Sequence, residues 1–223
     1  MSDGLISTLA KTGSLLALTG ALTLPSAGPA SADPATYGEL SAAWWQWAEE
    51  TYPDLDFGKG RVDCRRGQSG HIWFLGGSDG SGPVRRKCRI EKGKQLFFPL
   101  VAAADFDDEQ SCTTPGLCTV EEHRALLDGI FSEEPPGIFN SVACDLHIDI
   151  DESPAVFTTP IVRTQSPPFP FADNSENLSD GFWVLIDPLP TGVHEVHLTG
   201  GICDIETDES VFAVDVTYVV RVQ

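Results

Sequence analysis

The sequence predicts a mainly β protein: an antiparallel β-sandwich stapled by disulfides and carrying two short helices. Three observations predict it. Polar and apolar residues alternate strictly over 145–151, and over 210–222 Phe212, Val214, Val216, Tyr218, Val220 and Val222 fall on one face, the period of half-buried strands. Two almost uniformly apolar runs, 71–75 and 95–101, are bounded by glycine-containing turns and read as strands buried on both faces. Six cysteines (Cys64, Cys88, Cys112, Cys118, Cys144 and Cys203) all follow residue 32, and an even count behind an export signal favours disulfides over thiol chemistry.

Residues 1–32 read as that signal. Lys11 supplies a cation, 15–24 is an apolar run, and Ala30-Ser31-Ala32 fits a small-x-small cleavage site. The run falls well short of the roughly 20 residues that span a bilayer, so no membrane span is expected. The expected location is secreted, extracellular or periplasmic, with a single β-rich domain over 33–223. The expected pairings are Cys64–Cys88, Cys112–Cys118 and Cys144–Cys203. No C-x-x-C pair is present, which argues against a zinc ribbon or a dithiol redox site, and no motif asks for a cofactor.

The first helix is expected over 36–52. Thr36 and Glu39 stand as a capping box; Tyr37, Leu40, Ala43, Trp44, Trp47 and Ala48 form one apolar stripe; Pro53 stops the helix. Such a tryptophan-rich helix suits a lid on a sheet. Trp45 falls off the stripe and is a candidate contact residue. The run 71–75 is expected to turn through the glycine-rich 76–83 and return as 84–90, a hairpin closed by Cys64–Cys88. Pro99 marks the next strand as an edge or a strand end. Asp105, Asp107 and Asp108 are weak calcium candidates, because their spacing lacks the register of a calcium loop. A second helix over 119–131 starts at a Thr119/Glu122 capping box.

From 141 onward the pattern is β. Leu146, Ile148 and Ile150 are expected to face the core, and Asp145, His147, Asp149 and Asp151 the outside. A Pro/Ser/Asn-rich connection is expected over 164–180, with a glycosylation-type sequon at Asn177-Leu178-Ser179. Strands at 182–186, 193–198 and 210–222 complete the set, the first two joined by Leu189-Pro190-Thr191-Gly192. This ending resembles the last strands of immunoglobulin-like sandwiches, so the sandwich is expected to be of immunoglobulin-like or jelly-roll type; the likeness is one of fold and transfers no function.

Charge is unevenly distributed. The net charge is −19, yet residues 59–94 hold ten Lys/Arg against three acids. An acidic field of that size repels nucleic acid and anionic membrane everywhere except at one patch. Gly67-Gln68-Ser69-Gly70, Trp73-Phe74-Leu75, Cys88, Gly93-Lys94 and 96–99 resemble a family of uncharacterised secreted bacterial proteins. Their shared core is C-x-x-G-Q-S-G-x-V-W-F-L-x-G followed by C-x-V-P-x-G-K-x-L-F-F-P. Glu91 departs from it, standing where that pattern often has proline. The resemblance implies secretion and one domain but no activity.

Catalytic motifs are weak. Ser69 lies in a glycine turn before a strand, whereas a nucleophile elbow leads into a helix. His194 and His197, three apart on a strand, point to opposite faces and cannot share a metal. What remains is a cationic cluster of Arg65, Arg66, Arg85, Arg86 and Lys87 gathered by Cys64–Cys88. The expected function is a secreted, non-catalytic binding module whose basic patch meets an anionic partner. That partner is an acidic glycan or an acidic protein surface, including another copy of the chain. The alternatives are a carboxylate-dependent extracellular hydrolase and a structural envelope protein.

Overall fold

Period-two alternation in the sequence becomes two sheets packed face to face. A computed structural model describes residues 34–52, 57, 63–105, 119–132, 140–151, 160–171 and 174–223, all within one compact unit, Ser31–Gln223. In chain order the elements are α1 (Pro34–Thr51), β1 (Ile72–Phe74), β2 (Val84–Ile90), β3 (Gln95–Asp105) and α2 (Val120–Phe131). Then follow β4 (Ser141–Ile150), β5 (Val162–Gln165), β6 (Phe169–Phe171), β7 (Asn174–Ile186), β8 (Gly192–Asp204) and β9 (Ser210–Val222). One sheet has the order β1-β3-β7-β5, with β6 also on β7; the other has the order β2-β9-β8-β4. The leader over 1–32, the Cys112–Cys118 pair, Asp107, Asp108 and the side chain of Asp105 lie outside the described residues.

Side chains from the two inner faces make the core. Leu96, Phe98, Leu100, Val184 and Ile186 of the first sheet meet Val196, Leu198, Val216, Tyr218 and Val220 of the second. The sheets come close enough at Gly200 that a Cβ there would stand 2.6 Å from the carbonyl oxygen of Leu100. The opposite face of the first sheet is equally apolar and is covered by α1. Trp44 packs edge-on against Trp183 at 5.6 Å, and Trp183 stacks on Phe97 at 5.2 Å. Burying each such ring contributes roughly 1.5–3 kcal/mol. The layers are therefore helix, sheet, sheet, and the outer face of β2-β9-β8-β4 carries the polar halves of its strands.

Among the described residues two disulfides staple this arrangement, Cys64–Cys88 and Cys144–Cys203. They close loops with sequence separations of 24 and 59, worth about 3 and about 4 kcal/mol in a chain-entropy model. The α2 capping box is present, with the Thr119 hydroxyl accepting from the Glu122 N–H and the Glu122 carboxylate accepting from the Thr119 N–H.

Several expectations need correction. The segments 72–74 and 84–90 are not a hairpin: β1 pairs in parallel with β3, and β2 pairs in parallel with β9 in the other sheet. The glycine-rich 76–83 is thus a crossing between sheets. Pro99 lies inside a long interior strand, at a bulge in the β3/β7 ladder that excuses its missing N–H. The helix begins at Pro34, upstream of the Thr36/Glu39 pair read as its cap. The 164–180 stretch is mostly strand. Ser166, Asn177, Ser179 and Asp180 are buried there, and Asn177, 1% exposed although it is the sequon asparagine, donates to the carbonyls of Phe169 and Phe171.

Arg86 is the largest correction. It is 4% exposed, with Nη1 donating to the carbonyls of Gly76 and Gly77 at 3.2 and 2.7 Å and to the Tyr218 hydroxyl at 2.8 Å. Nη2 donates to the Phe57 carbonyl, and the guanidinium lies 5.6 Å from the centre of the Tyr218 ring. No carboxylate pairs with it among the described residues. Arg86→Ala strands these acceptors and opens a cavity, so urea unfolding is expected to show a loss of at least about 3 kcal/mol. Arg86→Lys, which lacks the fork, is expected to recover only part of it. Arg85→Ala, one residue away in solvent, is expected to leave the midpoint nearly unchanged.

Candidate ligand-binding face

The pleat sorts the basic residues of β2. Val84, Arg86, Cys88 and Ile90 turn inward, and Arg85, Lys87 and Arg89 turn out to solvent. Parallel register sets Arg85 beside Thr217, Lys87 beside Val219 and Arg89 beside Arg221. Arg89 and Arg221 are thus exposed like charges on adjacent strands, an arrangement that weakens a sheet. Lys87, Arg89 and Arg221 make no ion pair among the described residues, whereas Arg85 is held by Glu195 at 2.5 Å. That bond raises the Arg85 pKa and lowers that of Glu195.

Cys64–Cys88, with Cα atoms 5.7 Å apart, fixes the 63–67 turn at the same edge. Chain geometry then puts the Arg65 Cα within about 13 Å of those of Lys87 and Arg89. Arg65 bonds Asp63 at 3.2 Å and lowers its pKa. Arg66 points elsewhere: Nη1 donates to the carbonyl of Thr51 at 3.3 Å, where a cation suits the end of α1. Gly67 takes φ +67°, and a Cβ there would press on Trp47 and Thr51 at 3.0 and 3.1 Å. The Gln68 amide donates to the Cys64 and Phe74 carbonyls and accepts from the Phe74 N–H, pairing the open edge of β1 as a strand would. The G-Q-S-G motif is accounted for by structure, and Ser69 is merely exposed.

The six residues read as a contact set therefore divide. Arg65, Arg85 and Lys87 share the basic edge, Arg66 caps a helix, and Arg86 and Trp45 are inside the protein. Trp45 is 7% exposed, edge-on to Phe171 of β6 at 6.5 Å. Sequence reasoning missed Arg89 and Arg221. Alternation over 84–90 carried the signal for Arg89, whereas nothing local pointed to Arg221, 132 positions along the chain from Arg89.

The other half of the face is acidic and rich in histidine. His147 Nε2 lies 3.0 Å from Asp149, and His197 Nε2 lies 3.0 Å from Asp215. At the bulge between Cys144 and His147, Asp145 takes φ +53°. A groove of about 530 Å³ opens there, lined by Asp145, His147, Thr199, Gly200, Gly201 and Asp215. Cys144, Asp145 and Cys203 have ligand atoms close together, but both sulfurs are committed to Cys144–Cys203. A separate polar cluster fastens α2 to the first sheet: Arg163 grips the 1% exposed Asp180 at 2.9 Å and Asp128 at 2.7 Å.

At the end of the second sheet, His194 bonds Asp151 at 2.8 Å and the Pro190 carbonyl at 2.8 Å. Burial lowers the His194 pKa, but these two acceptors outweigh it and the net shift is upward from 6.5. For Asp151, burial raises the pKa, and the bonds from His194 and the Glu195 N–H outweigh it, giving a net shift downward from 3.8. A raised histidine stabilises fully below its unfolded pKa and loses that contribution as pH rises through the folded value. A lowered carboxylate stabilises above its unfolded pKa and fails as pH falls through the folded value. His194→Gln is accordingly expected to cost more stability at pH 5.5 than at pH 8, read from paired denaturation curves.

Compared with protein-family models, curated proteins and solved structures, the chain matches none.

Proposed function

We propose that this protein is a secreted, non-catalytic binding module that engages an anionic partner through the edge formed by Arg65, Lys87, Arg89 and Arg221. The observation that carries the reading is the trio Lys87, Arg89 and Arg221, exposed on one face and without an ion pair among the described residues, in a chain with net charge −19. Among the described residues, Arg85 is the one cation of that strand held by a carboxylate. Guanidinium forks suit sulfate and carboxylate groups, which favours an acidic glycan as the ligand. The disulfides, the export-type leader and the likeness to secreted bacterial proteins support an extracellular or periplasmic location. Among the described residues, no helix is long and apolar enough to cross a membrane.

Asp63, Asp151, Glu195 and Asp204 are all held below their ordinary values, so none of these four is tuned to donate a proton near neutral pH. Lys87→Glu/Arg89→Glu is expected to weaken binding to a sulfated glycan such as heparin at least about tenfold at low salt, with parent and variant converging as salt rises. Sedimentation of the parent at the same salt concentrations separates glycan binding from association through the acidic half of a second copy. Affinity indifferent to both charge reversal and salt would overturn the proposal.

A further inference from the structure

The ladders of the second sheet line its outward residues up in rows. Arg85 of β2, Thr217 of β9, His197 of β8 and Asp149 of β4 form one row. The next runs through Lys87, Val219 and Glu195 to Asp151, whose N–H bonds the Glu195 carbonyl. In the third, Arg89 and Arg221 adjoin Val193, which is 57% exposed. Each row is cationic at its β2 end, and the first two finish on a carboxylate at the β4 end. A two-fold axis parallel to the strands, between β9 and β8, exchanges those ends when two such faces are laid together. We infer that a second copy of this chain docks on the face in this way, forming a closed dimer in which the basic edge of each copy lies on the acidic edge of the other.

The symmetry makes the contact complementary twice. It sets Arg85 against the other copy's Asp149 and Lys87 against its Asp151, and the same pairs recur with the copies exchanged, as an isologous interface requires. A two-fold axis running across the strands would lay cations on cations, so the charges select one orientation. Sheet twist turns the two strand sets about 30° across each other, an offset of about 4 Å at the edges that lysine and arginine stems span. Val193 comes under the aliphatic stem of the other copy's Arg221, which covers an apolar side chain that solvent otherwise meets. Four strands about 4.8 Å apart and about ten residues long present a face of roughly 600 Å². Two such faces bury roughly 1,200 Å², at the foot of the range for specific interfaces. This pairing rests on the same reading of the basic edge as a contact surface, and it regulates that edge: an anionic glycan must displace the second copy to reach Lys87.

The test is sedimentation equilibrium of the intact, disulfide-bonded protein over a range of concentrations, at low and at high salt. A monomer–dimer equilibrium that weakens with salt is expected. Arg85→Glu and Asp149→Arg should each weaken it about tenfold or more, because each reverses one charge in both symmetric contacts. Mixed in equal amounts, the two variants should form a heterodimer of near-parental affinity, since one reversed pair and one native pair are then both complementary; a variant that had lost its fold could not be rescued in this way. In the parent, zero-length carbodiimide coupling should join Lys87 of one copy to Asp151 of another, the two edges being about 14 Å apart within a single copy. Asp149→Arg keeps every cation of the basic edge, so its affinity for heparin should not fall. Heparin binding by a protein that stays monomeric at low salt would sink the dimer alone, and a dimer without heparin affinity would sink the glycan contact alone. Dimerisation indifferent to both reversals, or a mixture that associates no better than either variant, would overturn the symmetric pairing.

Discussion

One guanidinium, unpaired with any carboxylate among the described residues, sits where two hydrophobic clusters meet. Arg86 comes from β2, binds Tyr218 of the sandwich core, and reaches Phe57 and the Gly76–Gly77 carbonyls beneath the helical lid. A buried cation is costly unless its hydrogen bonds are made. Here several oxygens that themselves need donors surround it, and the Tyr218 hydroxyl in turn donates a hydrogen bond to the Gly76 carbonyl. The crossing from the first sheet to the second is thereby locked to the core, and the orientation of β2 is fixed.

That orientation determines the surface. Once Arg86 and Cys88 face inward, Arg85, Lys87 and Arg89 must face outward, because side chains alternate along a strand. The parallel neighbour β9 then supplies Arg221, and the disulfide at Cys88 brings in the turn that carries Arg65. Further along the same face, β8 and β4 contribute histidines and aspartates. The face therefore runs from cationic at one edge to acidic at the other, with Arg85–Glu195 spanning the strand between them.

What the sequence disclosed was mostly local. The capping box at Thr119, the alternation around His147 and the tryptophan stripe of α1 depend on residues close in the chain, and each is present as read. Both visible disulfides follow from pairing nearby or late cysteines. What escaped was set by distant partners. A glycine-rich loop between two apolar runs suggests a hairpin, yet the register of β1 and β2 is chosen by β3 and β9 across long intervals. The stretch through Asn177 and Asp180 looked like a loop because burial of its polar groups is made affordable by Arg163 and by carbonyls of β6. Reading 84–90 as a block of charge, and not as a pleat, hid the division between Arg86 and its neighbours.

Arg86 is sequestered while Arg85 and Arg89 of the same strand face solvent. Hydrogen exchange of the arginine side-chain N–H groups, followed by NMR on the folded protein, measures this directly. Guanidinium protons of Arg86 should persist far longer than those of Arg85 and Arg89, and should exchange only as the protein opens. Arg86 protons exchanging as fast as those of its neighbours would contradict the buried knot and the sorting of charge that rests on it.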